Sequence, residues 1–279
     1  MMMKKIIILT LAAVLTLAAS AAEYDFWSGS LAYKINDDGK SVSVWAIDDE
    51  ENENYNGFSD AIIPEAVSNK GKTYTVIGIG PYAFYRCEDI ELVSMPNTIT
   101  TIGNYAFGLC SGLKSAYLPK SVKTIGADAF YECSSLLFIE IPSGVTYIDR
   151  YAFWGCEGLV GVTSHIRKFE GVSISSDIFG TPDIDVFKTA TLYVPRGMIS
   201  AYRARAPWSY FQHIEEFDDA IAGDVNGDSK VDVEDVNAII NIILESKTEA
   251  DYPGNGDLNG DNKIDVEDVN AVINIILAN

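Results

Sequence analysis

A period of 23 residues constrains this chain more than any other feature. Phe84, Phe107, Phe130 and Phe153 recur at that spacing, each preceded by Ala (Ala83, Ala106, Ala129, Ala152), and Cys87, Cys110, Cys133 and Cys156 keep the same beat. So do Ile90, Leu113, Leu136 and Leu159, and the prolines Pro96, Pro119 and Pro142. Three copies place Ile-Gly five residues before the Phe (Ile79-Gly80, Ile102-Gly103, Ile125-Gly126); the fourth has Ile148-Asp149. One such unit cannot bury its apolar face alone, so the copies must stack turn on turn into a solenoid.

Within each turn the segment before Pro reads as a short strand of a parallel sheet. Its inward positions are Ile90, Val93 and Met95, then Leu113, Ala116 and Leu118, then Leu136, Ile139 and Ile141. Outward positions are Leu92 and Ser94, Ser115 and Tyr117, Phe138 and Glu140, Gly161 and Thr163. Such a face is the usual binding surface of a solenoid. Leu92, Tyr117 and Phe138 put apolar groups where water is expected, and with Glu140 they are the candidate ligand contacts. Ordinary scattered surface apolars are the alternative. Upstream, Leu31 to Ile47 alternates apolar and polar residues around Asp37-Asp38-Gly39 and reads as a hairpin, followed by a solvated acidic run, Asp48 to Asn54.

The pattern L-x-x-I-x-L-P followed by I-G-x-x-A-F-x-x-C resembles the bacterial surface, or BspA-type, leucine-rich repeats. The resemblance implies a repeat solenoid of short parallel strands joined by irregular or short helical turns. It extends to the flanks: Tyr74-Thr75-Val76 leads in, and Thr191-Leu192-Tyr193-Val194-Pro195 with Trp208, Phe211 and Ile214 is similar to the family's closing cap. The expected divisions are an N-terminal β cap at 23–75, repeats at 76–165 and a C-terminal cap at 166–218.

Equivalent positions in stacked turns point in parallel, so the four cysteines are expected as buried thiols rather than disulfides. No CxxC or HxxxH spacing suggests zinc. The aromatics flanking the Phe positions, Tyr82, Tyr105 and Tyr151 with Tyr85, Tyr131 and Trp154, either pack turn against turn or form a stripe able to stack on sugar rings.

The tail is of a different kind. DVNGDSKVDVED at Asp224 to Asp235 returns almost unchanged as DLNGDNKIDVED at Asp257 to Asp268. Counted from the first aspartate, oxygens fall at loop positions one, three, five, seven, nine and twelve: Asp224, Asn226, Asp228, the Lys230 carbonyl, Asp232 and Asp235, then Asp257, Asn259, Asp261, the Lys263 carbonyl, Asp265 and Asp268. A hard cation such as Ca²⁺ takes six to eight oxygens at roughly 2.3–2.6 Å, and this spacing wraps a short loop around one. Position six, normally Gly, is Ser229 in one loop and Asn262 in the other, so the second loop is expected to be the less strained. The segment Ala220 to Gly223 is too short for an entering helix, which leaves each unit a loop followed by one helix.

That half-hand arrangement and Asp at position twelve resemble the type I dockerin domain, here over 223–279. The resemblance implies a small all-α calcium-binding domain with two ions and a cohesin domain as partner. It places recognition at loop positions ten and eleven, Val233 and Glu234 with Val266 and Glu267, and near-equality of the copies implies binding in two orientations. In the helices, Val236, Ile239, Ile240, Ile243 and Leu244 make a stripe echoed by Val269, Val272, Ile273, Ile276 and Leu277. Ile242 and Ile275 lie off it. They are expected to face a partner, or else to pack within the domain or on its neighbour.

The tail carries nine Asp and four Glu against three Lys, half of the formal net charge of -20. No basic patch is present to neutralise phosphates, which excludes nucleic acid. Met1 to Ala22 reads as a secretory signal: Lys4 and Lys5, an apolar run from Ile6, then Ala19-Ser20-Ala21. The expected product is extracellular, without a transmembrane segment in the mature chain. His165 and His213 are the only histidines and neither sits in a nucleophile or metalloprotease motif. The resemblances therefore imply a secreted, non-catalytic interaction protein whose solenoid binds a protein or glycan. The alternative is a carbohydrate-active component of a polysaccharide-degrading complex.

Overall fold

The computed structural model describes residues 24–47, 55, 57–217, 223–226, 230–244, 256–258 and 263–278. The signal segment, the acidic run Asp48 to Asn54, residues 220–222, Asp228, Ser229, Asn259, Asp261 and Asn262 lie outside them. The chain divides into two compact units, one of residues 1–193 with 202–214 and one of 194–201 with 215–279.

In the first unit each turn contributes two strands, one to each of two sheets. The sheet that holds the strands before Pro comprises β4 (Asp60–Ile62), β7 (Leu92–Ser94), β9 (Ser115–Tyr117) and β11 (Phe138–Ile141), with β13 (Gly161–Ser164) and β15 (Thr191–Pro195) at the equivalent places in the following turns. They pair in parallel in that order, with β16 (His213–Phe217) beyond β15. In register across them lie Ala61, Val93, Ala116, Ile139, Val162 and Leu192, all buried. The nine inward positions read from the sequence are all buried as well.

A second sheet forms on the other side of the stack. It starts with β1 (Phe26–Ser28), β2 (Leu31–Ile35) and β3 (Ser41–Trp45), where β2 and β3 make the expected hairpin. It continues through β6 (Lys72–Ile79), flanked by β5 (Ala66–Asn69), into β8 (Thr101–Ile102), β10 (Thr124–Ile125), β12 (Tyr147–Ile148) and β14 (Ser173–Ile174). The last four are two-residue strands, and they keep Ile102, Ile125, Ile148 and Ile174 in register with Ile79 of β6. The repeated Gly follows from this closeness. A Cβ on Gly103 would stand 2.7 Å from the Pro81 nitrogen and 2.8 Å from the Gly80 carbonyl carbon.

Between the sheets runs the Phe ladder. Phe84, Phe107, Phe130 and Phe153 stack at 5.1, 5.2 and 5.4 Å with planes within 14°. Phe179 adds a fifth rung 5.6 Å from Phe153, and its cap partners Phe187, Phe211, Tyr202 and Trp208 are buried edge to face beyond it. Backbone bonds tie turn to turn at the ladder too: the Phe84, Phe107 and Phe130 N–H groups donate to the carbonyls of Ala106, Ala129 and Ala152.

The cysteines are buried and free. Beyond filling space, the Cys110, Cys133 and Cys156 thiols donate to the carbonyls of Phe84, Phe107 and Phe130 in the preceding turn, at 3.0–3.1 Å. Burial pushes the Cys110 thiol up to about 12 and raises Cys87 and Cys133 in the same direction. An unfolded thiol releases its proton near 9.0, before the folded one does. This contribution to stability is therefore complete below that pH and lost as the pH rises from there towards about 12. Two results are expected: a thiol reagent finds no accessible cysteine in the folded chain and four after unfolding. Raising the pH from about 8 to about 10.5 lowers the denaturant midpoint by more in the native sequence than in a Cys110→Ala variant.

Candidate functional site

In the tail, the helices Val233–Ile243 and Val266–Ala278 each follow one acidic loop. The position-twelve carboxylates are fully buried. Asp235 Oδ1 accepts the N–H groups of Val225 at 2.8 Å and Asn226 at 3.0 Å, while Oδ2 accepts that of Asp232 at 2.9 Å. Asp268 repeats this with Leu258 at 2.8 Å and Asp265 at 2.9 Å. One side chain thus ties the start of each loop to its ninth position. Asp232 and Asp265 in turn cap the helices, accepting from the N–H groups of Glu234 and Glu267, and Asp232 with Asp235 forms a reciprocal capping box.

Asp224 is buried, Asn226, Asp232, Asp257 and Asp265 are half-buried, and the Lys230 and Lys263 side chains are exposed, as suits residues that offer only a carbonyl. Among the described residues no three His, Cys, Asp or Glu stand together as a metal cluster; Asp228, Asn259 and Asp261 are outside that set. In the sequence, loop positions one, three, five, nine and twelve all offer a hard side-chain oxygen, which suits a hard divalent cation.

The helix faces differ from the sequence expectation. The tail core consists of Val225, Ala238, Ile239 and Val272, with Val231, Val236, Ile242, Leu258, Ile264, Val269 and Ile276 against it. Ile242, expected to face a partner, packs on that core. Ile275 is half-buried, its Cδ1 lying 3.1 Å from where a Gly223 Cβ would stand. Ile240, Ile243, Leu244, Ile273 and Leu277, expected to be inward, are exposed instead. The reason is the buried carboxylate: with Asp235 turned inward, a helix must bury Ala238, Ile239 and Ile242, three, four and seven residues on. Val233 and Val266 are each 65% exposed, and Glu234 and Glu267 are exposed beside them. Each helix therefore shows an apolar line: Val233, Ile240 and Leu244 on one, Val266, Ile273 and Leu277 on the other.

On the solenoid, Leu92, Tyr117 and Phe138 are exposed on the outward face of the pre-Pro sheet. The ladder puts Leu92, Ser115 and Phe138 in one row and Ser94, Tyr117 and Glu140 in the next. Sequence reasoning missed Ile62 on β4, 71% exposed and paired with Ser94, which carries the apolar strip one strand further. The signal was there in Ile62-Ile63-Pro64, which matches Ser94-Met95-Pro96 at a spacing other than 23. Glu140 is engaged by His165, whose Nε2 lies 2.6 Å from Oε1. Gly161 is not open: it is buried, and a Cβ there would meet the rings of Phe138 at 2.8 Å and Tyr193 at 3.4 Å, while Thr163 is half-buried. The tyrosine stripe is partly closed on itself, since Tyr82 and Tyr105 lie face to face at 5.2 Å.

Two family models match. Six copies of the BspA type leucine rich repeat region cover residues 68–180, and the dockerin type I domain covers 222–277. The chain is a BspA-type leucine-rich repeat protein with a C-terminal type I dockerin domain. Both parts of this leucine-rich repeat protein are non-catalytic module types, and type I dockerins bind calcium. Among solved structures, a leucine-rich repeat protein from Bacteroides capillosus is 28% identical over 51% of this chain and 99% of that one, with a TM-score of 0.45. The T. pallidum leucine-rich repeat protein is 22% identical over 60% and 70%, TM-score 0.47. A leucine-rich cell surface protein from Faecalibacterium prausnitzii is 26% identical over 67% and 47%, TM-score 0.47. No curated protein matches the chain. Among the described residues no helix is long and apolar enough to cross a membrane.

Proposed function

We propose that this chain is an exported adapter: a calcium-ordered dockerin attaches it to a cohesin-bearing scaffold or cell surface, while the outward sheet of the solenoid engages a protein or glycan. Two ions order the tail, one held by Asp224, Asn226, Asp228, the Lys230 carbonyl, Asp232 and Asp235, the other by the matching set from Asp257 to Asp268. The observation that carries the reading is the exposed apolar line on each tail helix, in a domain too small to leave such surface without use. Val233 with Glu234 and Val266 with Glu267 stand at the head of those lines and are the proposed cohesin contacts. Because the two lines occupy equivalent positions, either copy serves.

Titration of the full chain against a panel of immobilised type I cohesins, with calcium and with chelator, tests this. Binding is expected only with calcium. Replacing Val233-Glu234 by Lys-Lys is expected to leave affinity nearly intact, and adding the same change at Val266-Glu267 to abolish it. Calcium-independent capture, or complete loss from the first change alone, defeats the corresponding part of the reading. In the same format, Tyr117→Ala and Phe138→Ala are expected to leave cohesin binding unchanged.

A further inference from the structure

The position two residues before each ladder Phe recurs as Tyr82, Tyr105, Asp128 and Tyr151, at left-handed φ values of 57°, 52°, 56° and 56°. Equal backbone geometry at equal spacing sends the four side chains out of the stack in the same direction. They form a second ladder outside the Phe rungs. Its first two rungs close on each other, since the Tyr82 and Tyr105 planes are 7° apart. Its third rung has a carboxylate where the others have a ring.

Stacked turns are spaced by about 4.8 Å, so Tyr105 and Tyr151 belong to turns roughly 10 Å apart, with the short Asp128 side chain at the intervening position and the Tyr131 ring beside it, 6.2 Å from Tyr105. A pocket of about 600 Å³ opens there, lined by Tyr105, Asp128, Tyr131, Arg150, Tyr151 and Trp154. Asp128 is only 6% exposed, and its carboxylate accepts a hydrogen bond from the Tyr105 hydroxyl. Trp154 is 42% exposed and packs against Tyr131 at 5.4 Å and Tyr151 at 5.2 Å. Beyond Trp154 lies a second pocket of about 580 Å³, lined in part by Glu157, Phe179, Asp183 and Asp185.

We propose that the missing rung is a binding site for a neutral oligosaccharide, one pyranose ring entering the gap above Asp128 and the chain continuing past Trp154. The apolar C–H face of a sugar suits Tyr and Trp rings, and its hydroxyls need both an acceptor and a donor, which Asp128 and Arg150 supply. A pocket on each side of Trp154 fits more than a single sugar. Asp128, Glu132, Glu157, Asp183 and Asp185 outnumber Arg150 among the lining groups. On a chain of net charge -20 that balance repels uronic or sulfated glycans and nucleotide phosphates. Burial raises the Asp128 carboxyl, while the hydrogen bond from the Tyr105 hydroxyl and the nearby Arg150 oppose that rise. None of its lining residues belongs to the outward sheet face or to the two acidic loops.

The test uses the full chain and calorimetry with neutral hexasaccharides of β-1,4-linked glucose, mannose and xylose and of α-1,4-linked glucose, beside heparin and polygalacturonate. At least one neutral probe is expected to bind, and neither polyanion. Asp128→Tyr restores the ring found in the other three turns; it should keep the solenoid's unfolding temperature and weaken the bound probe by about tenfold or more, the equivalent of losing ~1.4 kcal/mol. Trp154→Ala should weaken it comparably, whereas Tyr117→Ala on the outward sheet should not. No binding by any neutral probe, equal binding by Asp128→Tyr, or a preference for the polyanions overturns the assignment. None of these outcomes bears on cohesin recognition.

Discussion

Replacing Phe107 by Ala is expected to cost the solenoid about 3–5 kcal/mol, the range for truncating a buried Phe. Phe107 is fully buried and sits between Phe84 at 5.1 Å and Phe130 at 5.2 Å. The void cannot collapse easily, because the backbone on each side is pinned by turn-to-turn bonds from the Phe84 and Phe107 N–H groups. Its carbonyl also accepts the Cys133 thiol, so a shift of the rung disturbs the next turn. In a stack where each turn touches only its neighbours, loss at a central rung weakens two interfaces at once. Whole domains have only about 5–15 kcal/mol to lose, so the denaturant midpoint should fall steeply. Phe138→Ala, on a side chain 60% exposed, is the control and should shift the midpoint little. Equal shifts from the two would show that the ring ladder is not what holds the turns together.

The ladder was legible because its signal is exact repetition: identical spacing puts identical side chains at one height, and burial follows. What repetition did not reveal lies where it breaks. Phe179 continues the rungs 26 residues after Phe153, and Ile62 precedes Ser94 by 32, so neither stands out by period. The second sheet escaped for another reason. Its strands Thr101–Ile102, Thr124–Ile125 and Tyr147–Ile148 are two residues long, too short to alternate, and they exist only because a neighbouring turn offers partners.

In the tail the difficulty was ambiguity rather than silence. From Ala238 to Leu244 every residue except Asn241 is apolar, so a helical stripe can be drawn in more than one phase. What fixes the phase is Asp235. Its carboxylate must meet the N–H groups of Val225 and Asn226, and this turns Ile242 inward and Ile240 outward. The same reasoning was available from the sequence, since a carboxylate at position twelve has to face its own loop. Asp128 is the comparable case in the solenoid, where the departure from the repeat carries more meaning than the repeat.

Removing calcium is expected to melt the tail and leave the solenoid folded, which would be the largest single effect on this chain. Among the described residues the tail's buried apolar core is four side chains, too few to outweigh the ordering of a segment of this size. An ion that binds only the folded loops, present at a hundred times its Kd, adds about 2.7 kcal/mol per site, and two sites would supply most of such a domain's margin. Because the two long described helices are in the tail, the far-UV helical signal reports it almost alone. Chelator should therefore abolish that signal without moving the denaturant midpoint that Phe107→Ala shifts. Calorimetry should count two ions. Asp235→Ala with Asp268→Ala should give the chelated state even in excess calcium, since it strands the N–H groups of Val225, Asn226, Asp232, Leu258 and Asp265 along with the ligands. Stranded donors cost about 1–3 kcal/mol each where they stay buried, so no rearrangement of the remaining oxygens can restore the loops. A helical signal that survives chelation would mean that the carboxylate bridges to the backbone hold the tail by themselves, and that calcium is a passenger on a fold it does not make.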